Sequence, residues 1–167
     1  KAKLPIDMAS MNKTKSMEDL EDWIRLKDIS KDEYVIITPK FDGLSLCVDE
    51  ETYTAITRGD GVEGQKSDEH YAYIQNHLYD MNNENMEFDP FAPIIFKYTY
   101  GEVMMPKQVF IDKYSMDFAN PRNFVAGLIN SPDPREALKD CQYIKYGAVC
   151  NRNFSFDTKQ EILDELN

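Results

Sequence analysis

The chain has 167 residues, 42% hydrophobic and 12% aromatic, which suits one domain with a real core and excludes a disordered polymer. No stretch approaches the length of a membrane span, and no signal peptide is expected. The formal net charge of -11 repels phosphate, so composition alone argues against a nucleic-acid binder. Cys47, Cys141 and Cys150 are odd in number and lack CxxC spacing, which indicates neither a disulfide framework nor a zinc site. A reducing, cytoplasmic setting is expected.

Leu4 to Lys15 reads as a loop with a short apolar stretch. Ser16 is placed to cap a helix with Asp19 three residues on, and Met17, Leu20, Trp23 and Ile24 recur at helical spacing. Trp23 is expected in the core. The apolar run Tyr34-Val35-Ile36-Ile37 predicts a strand, and Leu44, Leu46 and Val48, alternating with Ser45, Cys47 and Asp49, predict a second. Between them, Thr38 to Leu46 carries Lys40, Asp42 and Gly43, a glycine that would let a ligand approach the backbone. A lysine at a strand end becomes a nucleophile if its surroundings lower its pKa. On these residues alone, a solvated lysine in an ordinary turn is the simpler reading.

Asp49 to Thr52 predicts a polar turn into a strand over Tyr53 to Thr57. The loop Arg58-Gly59-Asp60-Gly61-Val62-Glu63-Gly64 then calls for special backbone angles. Ser67 to Tyr79 predicts a helix with Tyr71, Ile74 and Leu78 on one face. His70 and His77 stand at i and i+7, not the i, i+4 spacing of a helical metal pair, and read as surface or boundary histidines. Asp80 to Pro93 is polar and acidic and reads as a loop.

Ile94 to Met105 is the strongest strand candidate. A carboxylate in such a run is costly to bury without a partner, so Glu102 is more informative than the exposed acids around it. Pro106 is expected to open a helix with Val109, Phe110 and Tyr114 inward. Asn120 and Pro121 predict the start of another helix, leaving Arg122 in its first turn as a phosphate clamp or, alternatively, a member of a capping salt bridge. Gln142 to Cys150 is a further strand, and Asp157 with Gln160 predicts the cap of a last helix through Ile162, Leu163 and Leu166.

Four stretches carry a resemblance. Lys40-x-Asp42-Gly43 is the nucleotidyl-lysine motif of DNA ligases, RNA ligases and capping enzymes. Thr57 to Gly61, then Tyr100-Gly101-Glu102-Val103, then Phe118-Ala119-Asn120-Pro121-Arg122-Asn123 follow in the order found in NAD-dependent DNA ligases. From about Leu4 to Cys150 the chain resembles the adenylation domain of that family. The resemblance implies an α+β nucleotidyltransferase fold, with antiparallel sheets and flanking helices around a nucleotide cleft, and residues 1–167 forming part of that domain.

It also implies roles. Lys40 would be the nucleophile that takes AMP from NAD, with Asp42 positioning the lysine or a metal, and no residue is assigned as a dedicated metal ligand. Glu102 would bond the ribose and Tyr146 stack on the base. Ser10, Met11 and Thr38 would line the nucleotide. Arg58 and Asp60 would lie beside the nucleotide or DNA path, and Arg122 near a phosphate. Mg2+ is expected from the phosphate chemistry, nicked duplex DNA is the expected substrate, and a monomer with no membrane partner is expected.

Two positions depart from the family pattern: Thr38 replaces a glutamate, and Asn130 replaces an arginine after Gly127. Both suggest a divergent member, of viral or phage type. The family's later lysine motifs and upstream nicotinamide-binding segment do not occur here, so a partial, inactive domain is expected. The alternatives are an RNA ligase or capping-type enzyme using ATP or GTP, and a non-catalytic nucleotide-binding remnant.

Overall fold

The computed structural model describes residues 1–10, 12–74 and 94–166. In chain order these form β1 (Ala2–Lys3), α1 (Met17–Leu26), β2 (Leu44–Asp49), β3 (Ala55–Thr57) and β4 (Glu63–Gly64). A helix, α2, follows with 68–74 as its described part. Then come β5 (Phe96–Met104), α3 (Lys107–Lys113), α4 (Pro121–Ile129), a 3-10 turn (Glu136–Asp140), β6 (Gln142–Cys150) and α5 (Lys159–Leu166). The main sheet is antiparallel in the order β3-β2-β5-β6, and β1 pairs with β4 apart from it.

Alternation along the strands divides the sheet into two unlike faces. Leu46, Val48, Val103 and Tyr143 point to one of them and pack against Tyr71 and Ile74 of α2, Phe110 of α3 and the apolar side of α4. Phe124, Val125, Leu128 and Ile129 of α4 are all buried there. Each such side chain contributes about 1.5–3 kcal/mol, so this face is the main source of stability. The other face carries Cys47 and Ile56 under Leu4 and Met8, with Tyr98 and Tyr100 partly buried alongside. The first ten residues cover only part of it.

The cap signals are realised. Ser16 Oγ accepts from the Asp19 amide at 3.1 Å, and Asn120 Oδ1 accepts from the Asn123 amide at 2.8 Å with Pro121 opening the helix. Asp49 Oδ1 accepts from the amides of Glu51 and Thr52, forming the expected turn.

Other expectations are corrected. Tyr34 to Ile37 form no strand and are exposed, because both edges of β2 are already taken, by β3 and β5. Lys40 therefore sits in an irregular segment that enters β2, not in a turn between two strands. Trp23 is 36% exposed, and α1 buries none of its residues. His70 is buried, its Nε2 3.0 Å from the carbonyl oxygen of Ser131, which ties α2 to the end of α4. Pro106 precedes α3 as its cap residue. The last helix is capped one residue later than expected: the Glu161 amide donates to Thr158 Oγ1, and Glu161 Oε2 accepts from the Asp157 amide. Leu78, His77 and the acidic stretch 80–93 lie outside the described residues.

Candidate nucleotide-binding site

Glu102 stands on β5 directly opposite Ser45 of β2 and is 8% exposed. Its Oε1 accepts from the Gly43 amide at 3.2 Å, and its Oε2 accepts from Ser45 Oγ at 2.8 Å. The partner that burial demanded is thus the backbone of the Lys-x-Asp-Gly stretch itself. A Cβ on Gly43 would lie 2.0 Å from the Val103 carbonyl oxygen. The glycine is required by the close approach of β5.

Lys40 is exposed and makes no hydrogen bond or ion pair with another described residue. Asp42 is held by Arg122, whose Nη1 donates to its Oδ1 at 2.6 Å. The arginine from the first turn of α4 therefore reaches the Lys40 segment, an ion pair between two motifs in place of a helix-capping one.

Arg58 leaves β3 beside Ser45, its amide donating to the Ser45 carbonyl at 3.0 Å. The loop after it uses left-handed backbone at Gly59 (φ 53) and Gly61 (φ 99). Asp60 Oδ1 accepts from the amides of Val62 and Glu63, and these bonds hold its carboxyl below the usual range. Asp60 thus shapes the loop from within. The N-terminal segment runs along it, with the Leu4 amide on the Val62 carbonyl and the Met8 amide on that of Gly61. Ser10 follows, exposed, while Met11 lies outside the described residues. Thr38 is exposed in the segment before Lys40.

Tyr146 of β6 meets Tyr100 of β5 edge-on, with centroids 5.7 Å apart and planes at 78°. Burial pushes its phenol up, the hydrogen bond with Ser45 lowers it, the Glu102 carboxylate raises it and Arg58 lowers it. Ser45, Arg58, Glu102, Tyr100 and Tyr146 thus share the partly open sheet face. Lys159, which carries no motif signal in the sequence, joins them by donating its Nζ to the Tyr146 carbonyl. Among the described residues no group of three or more His, Cys, Asp or Glu gathers as a metal site.

An antiparallel sheet whose open face begins where the Lys40 segment, braced by a buried glutamate, enters β2 fits a nucleotidyltransferase-type domain. Comparison with known proteins narrows the class. Residues 1–167 match the model of the NAD-dependent DNA ligase adenylation domain, and the chain belongs to that family. It is 28% identical over 179 residues to a putative DNA ligase 205R of Invertebrate iridescent virus 6, covering 100% of this chain and 26% of that protein. It is 31% identical over 142 residues to a DNA ligase of Francisella tularensis subsp. novicida (strain U112), covering 79% of this chain and 20% of that protein. The chain thus spans about a quarter or less of the length of these relatives. No helix among the described residues is long and apolar enough to cross a membrane.

Proposed function

We propose that the chain supplies the nucleotide pocket of an enzyme that uses NAD to seal nicks in duplex DNA. NAD is consumed as a substrate. The deprotonated Lys40 amine attacks the α-phosphorus, the P–N bond forms, and the bond to nicotinamide mononucleotide breaks. AMP then passes to the 5′-phosphate at the nick, and the 3′-hydroxyl displaces it as the strand closes.

The observation that carries this reading is the convergence on Gly43 and Asp42. Glu102 braces the turn through the Gly43 amide and Ser45, and Arg122 takes Asp42, so three separate motifs meet beside Lys40. Glu102 keeps lone pairs available for a ribose hydroxyl, and Tyr146 offers a ring to a base. Mg2+ is often held by one or two carboxylates together with substrate phosphates, a role that fits Asp42 better than a dedicated protein cage. Bound there, the ion would neutralise charge developing on the phosphate.

A net charge of -11 requires that most of the grip on DNA come from outside these residues. We assign the chain to a monomeric ligase of the cytoplasm, where its free cysteines stay reduced. Mass spectrometry of the intact ligase after incubation with NAD is the test. AMP is expected on the peptide containing Lys40 and absent in Lys40→Ala. AMP on another lysine, or labelling by ATP but not NAD, overturns the assignment.

A further inference from the structure

Tyr146 occupies an irregular place in its strand. Tyr100 pairs with Gly147 and Gly101 with Lys145, so Tyr146 is the extra residue of a bulge in β6. Bulges leave the added residue out of the ladder and re-aim its side chain. Tyr100 lies across the gap this leaves: a Cβ on Gly147 would fall 2.2 Å from the Tyr100 ring.

Lys159, the first residue of α5, reaches out of its helix onto this bulge. Its Nζ donates to the Tyr146 carbonyl and lies 5.6 Å from the centroid of the Tyr100 ring. A cation in the first turn of a helix opposes the partial positive charge of the free amides there. Partial burial also pushes the ammonium pKa down. Both effects disfavour a lysine at this position, whereas the carbonyl dipole and the aromatic face favour it. The side chain is therefore held by the sheet, not by its own helix.

We propose that Lys159 is a positioning residue for nucleotide recognition: it clamps the β6 bulge and the Tyr100 ring, and so sets the angle at which Tyr146 meets a base. The inference rests on the reading of this face as an adenosine-nucleotide pocket. Lys159 touches neither the phosphates nor the reacting atoms in this role, so its loss weakens binding and leaves the site of adenylation unchanged.

The test uses the full chain with 13C-labelled tyrosine rings, titrated with AMP and followed by NMR, in the Lys159→Met and Lys159→Arg variants. In Lys159→Met the Tyr100 and Tyr146 resonances are expected to move. Tyr71 and Tyr143, an edge-on pair at 5.5 Å, should hold still and report an intact fold. AMP affinity should fall ~3- to 10-fold, the scale of one mis-angled ring–base contact, and Lys159→Arg should restore both. Unmoved Tyr100 and Tyr146 resonances, or unchanged AMP affinity, overturn the proposal. Movement of all four rings also overturns it, because Lys159 would then only hold the fold together. If the unmutated chain binds no AMP while the two rings still respond to Lys159→Met, the pocket reading itself fails, and the positioning role with it.

Discussion

Arg122 and Asp42, 80 residues apart in sequence, form a 2.6 Å hydrogen-bonded ion pair that joins the first turn of α4 to the Lys40 segment. Their side chains are 51% and 73% exposed, and exposed pairs contribute little to stability. A double-mutant cycle with Arg122→Ala and Asp42→Ala is expected to give an unfolding coupling below about 1 kcal/mol. If Arg122 lies near a phosphate, as its place in the family motif implies, nick sealing by the intact ligase should nevertheless fall on the order of a hundredfold in Arg122→Ala. Chemical denaturation and a sealing assay read the two effects separately.

Gly43 and Gly127 predict opposite outcomes for the same substitution. A methyl at Gly43 runs into the Val103 carbonyl, so Gly43→Ala should destabilise by about 1–3 kcal/mol or more as the turn is pushed off β5. At Gly127, inside α4, a Cβ meets nothing within 4 Å. Gly127→Ala should therefore stabilise by about 0.5–1 kcal/mol. Urea midpoints of the two variants decide the matter, and a neutral Gly43→Ala would contradict the packing described here.

Glu102 lends itself to a graded series. Glu102→Ala leaves the Gly43 amide and Ser45 hydroxyl without their acceptor in a buried place and should cost about 1–3 kcal/mol. Glu102→Gln keeps one carbonyl oxygen for the amide and offers a donor to Ser45, so its cost should be smaller. Denaturant unfolding that ranks Gln below or level with Ala would show that the bridge is not what holds the turn.

Alkaline pH should weaken the fold. Burial pushes the Cys47 and Cys141 thiols up to about 12 from an ordinary 9.0, with Asp49 and Asp140 adding to it. Burial likewise raises the Tyr71 and Tyr143 phenols. The folded chain thus holds protons that the unfolded chain releases, and stability falls as pH rises from about 9 towards 12, by up to about 1.4 kcal/mol per unit for each group. Below pH 9 these groups are protonated in both states and contribute no slope. Urea titrations at pH 8 and pH 10.5 should show the loss, and Cys47→Ala should reduce it.

Features written within a few residues were legible in the sequence. Ser16 with Asp19 and Asn120 with Asn123 are caps that need only the local chain, and both helices start where the caps place them. Glu102 was legible for another reason: the cost of burying a carboxylate announced a partner, and the register of β2 against β5 supplies it. Tyr34 to Ile37 misled because the strand they were expected to turn into, β2, has both its sides taken by β3 and β5. His70 and Trp23 depend on where distant elements pack, on Ser131 in one case and on nothing buried in the other. Lys159 left no local signal beyond its unfavourable place at a helix start, since its role depends on a bulge in another element.

The pairing of Ala2 and Lys3 with Gly64 and Glu63, continued by the Leu4 and Met8 amides, stitches the first residues along the loop that carries Arg58. Opening of these bonds does not stay local. The Ala2 and Lys3 rungs hold Gly64 and Glu63, and the Leu4 and Met8 amides hold the Val62 and Gly61 carbonyls, so the two segments should open together and their amides exchange with solvent in step. A pull on the first residues is thereby a pull on Arg58.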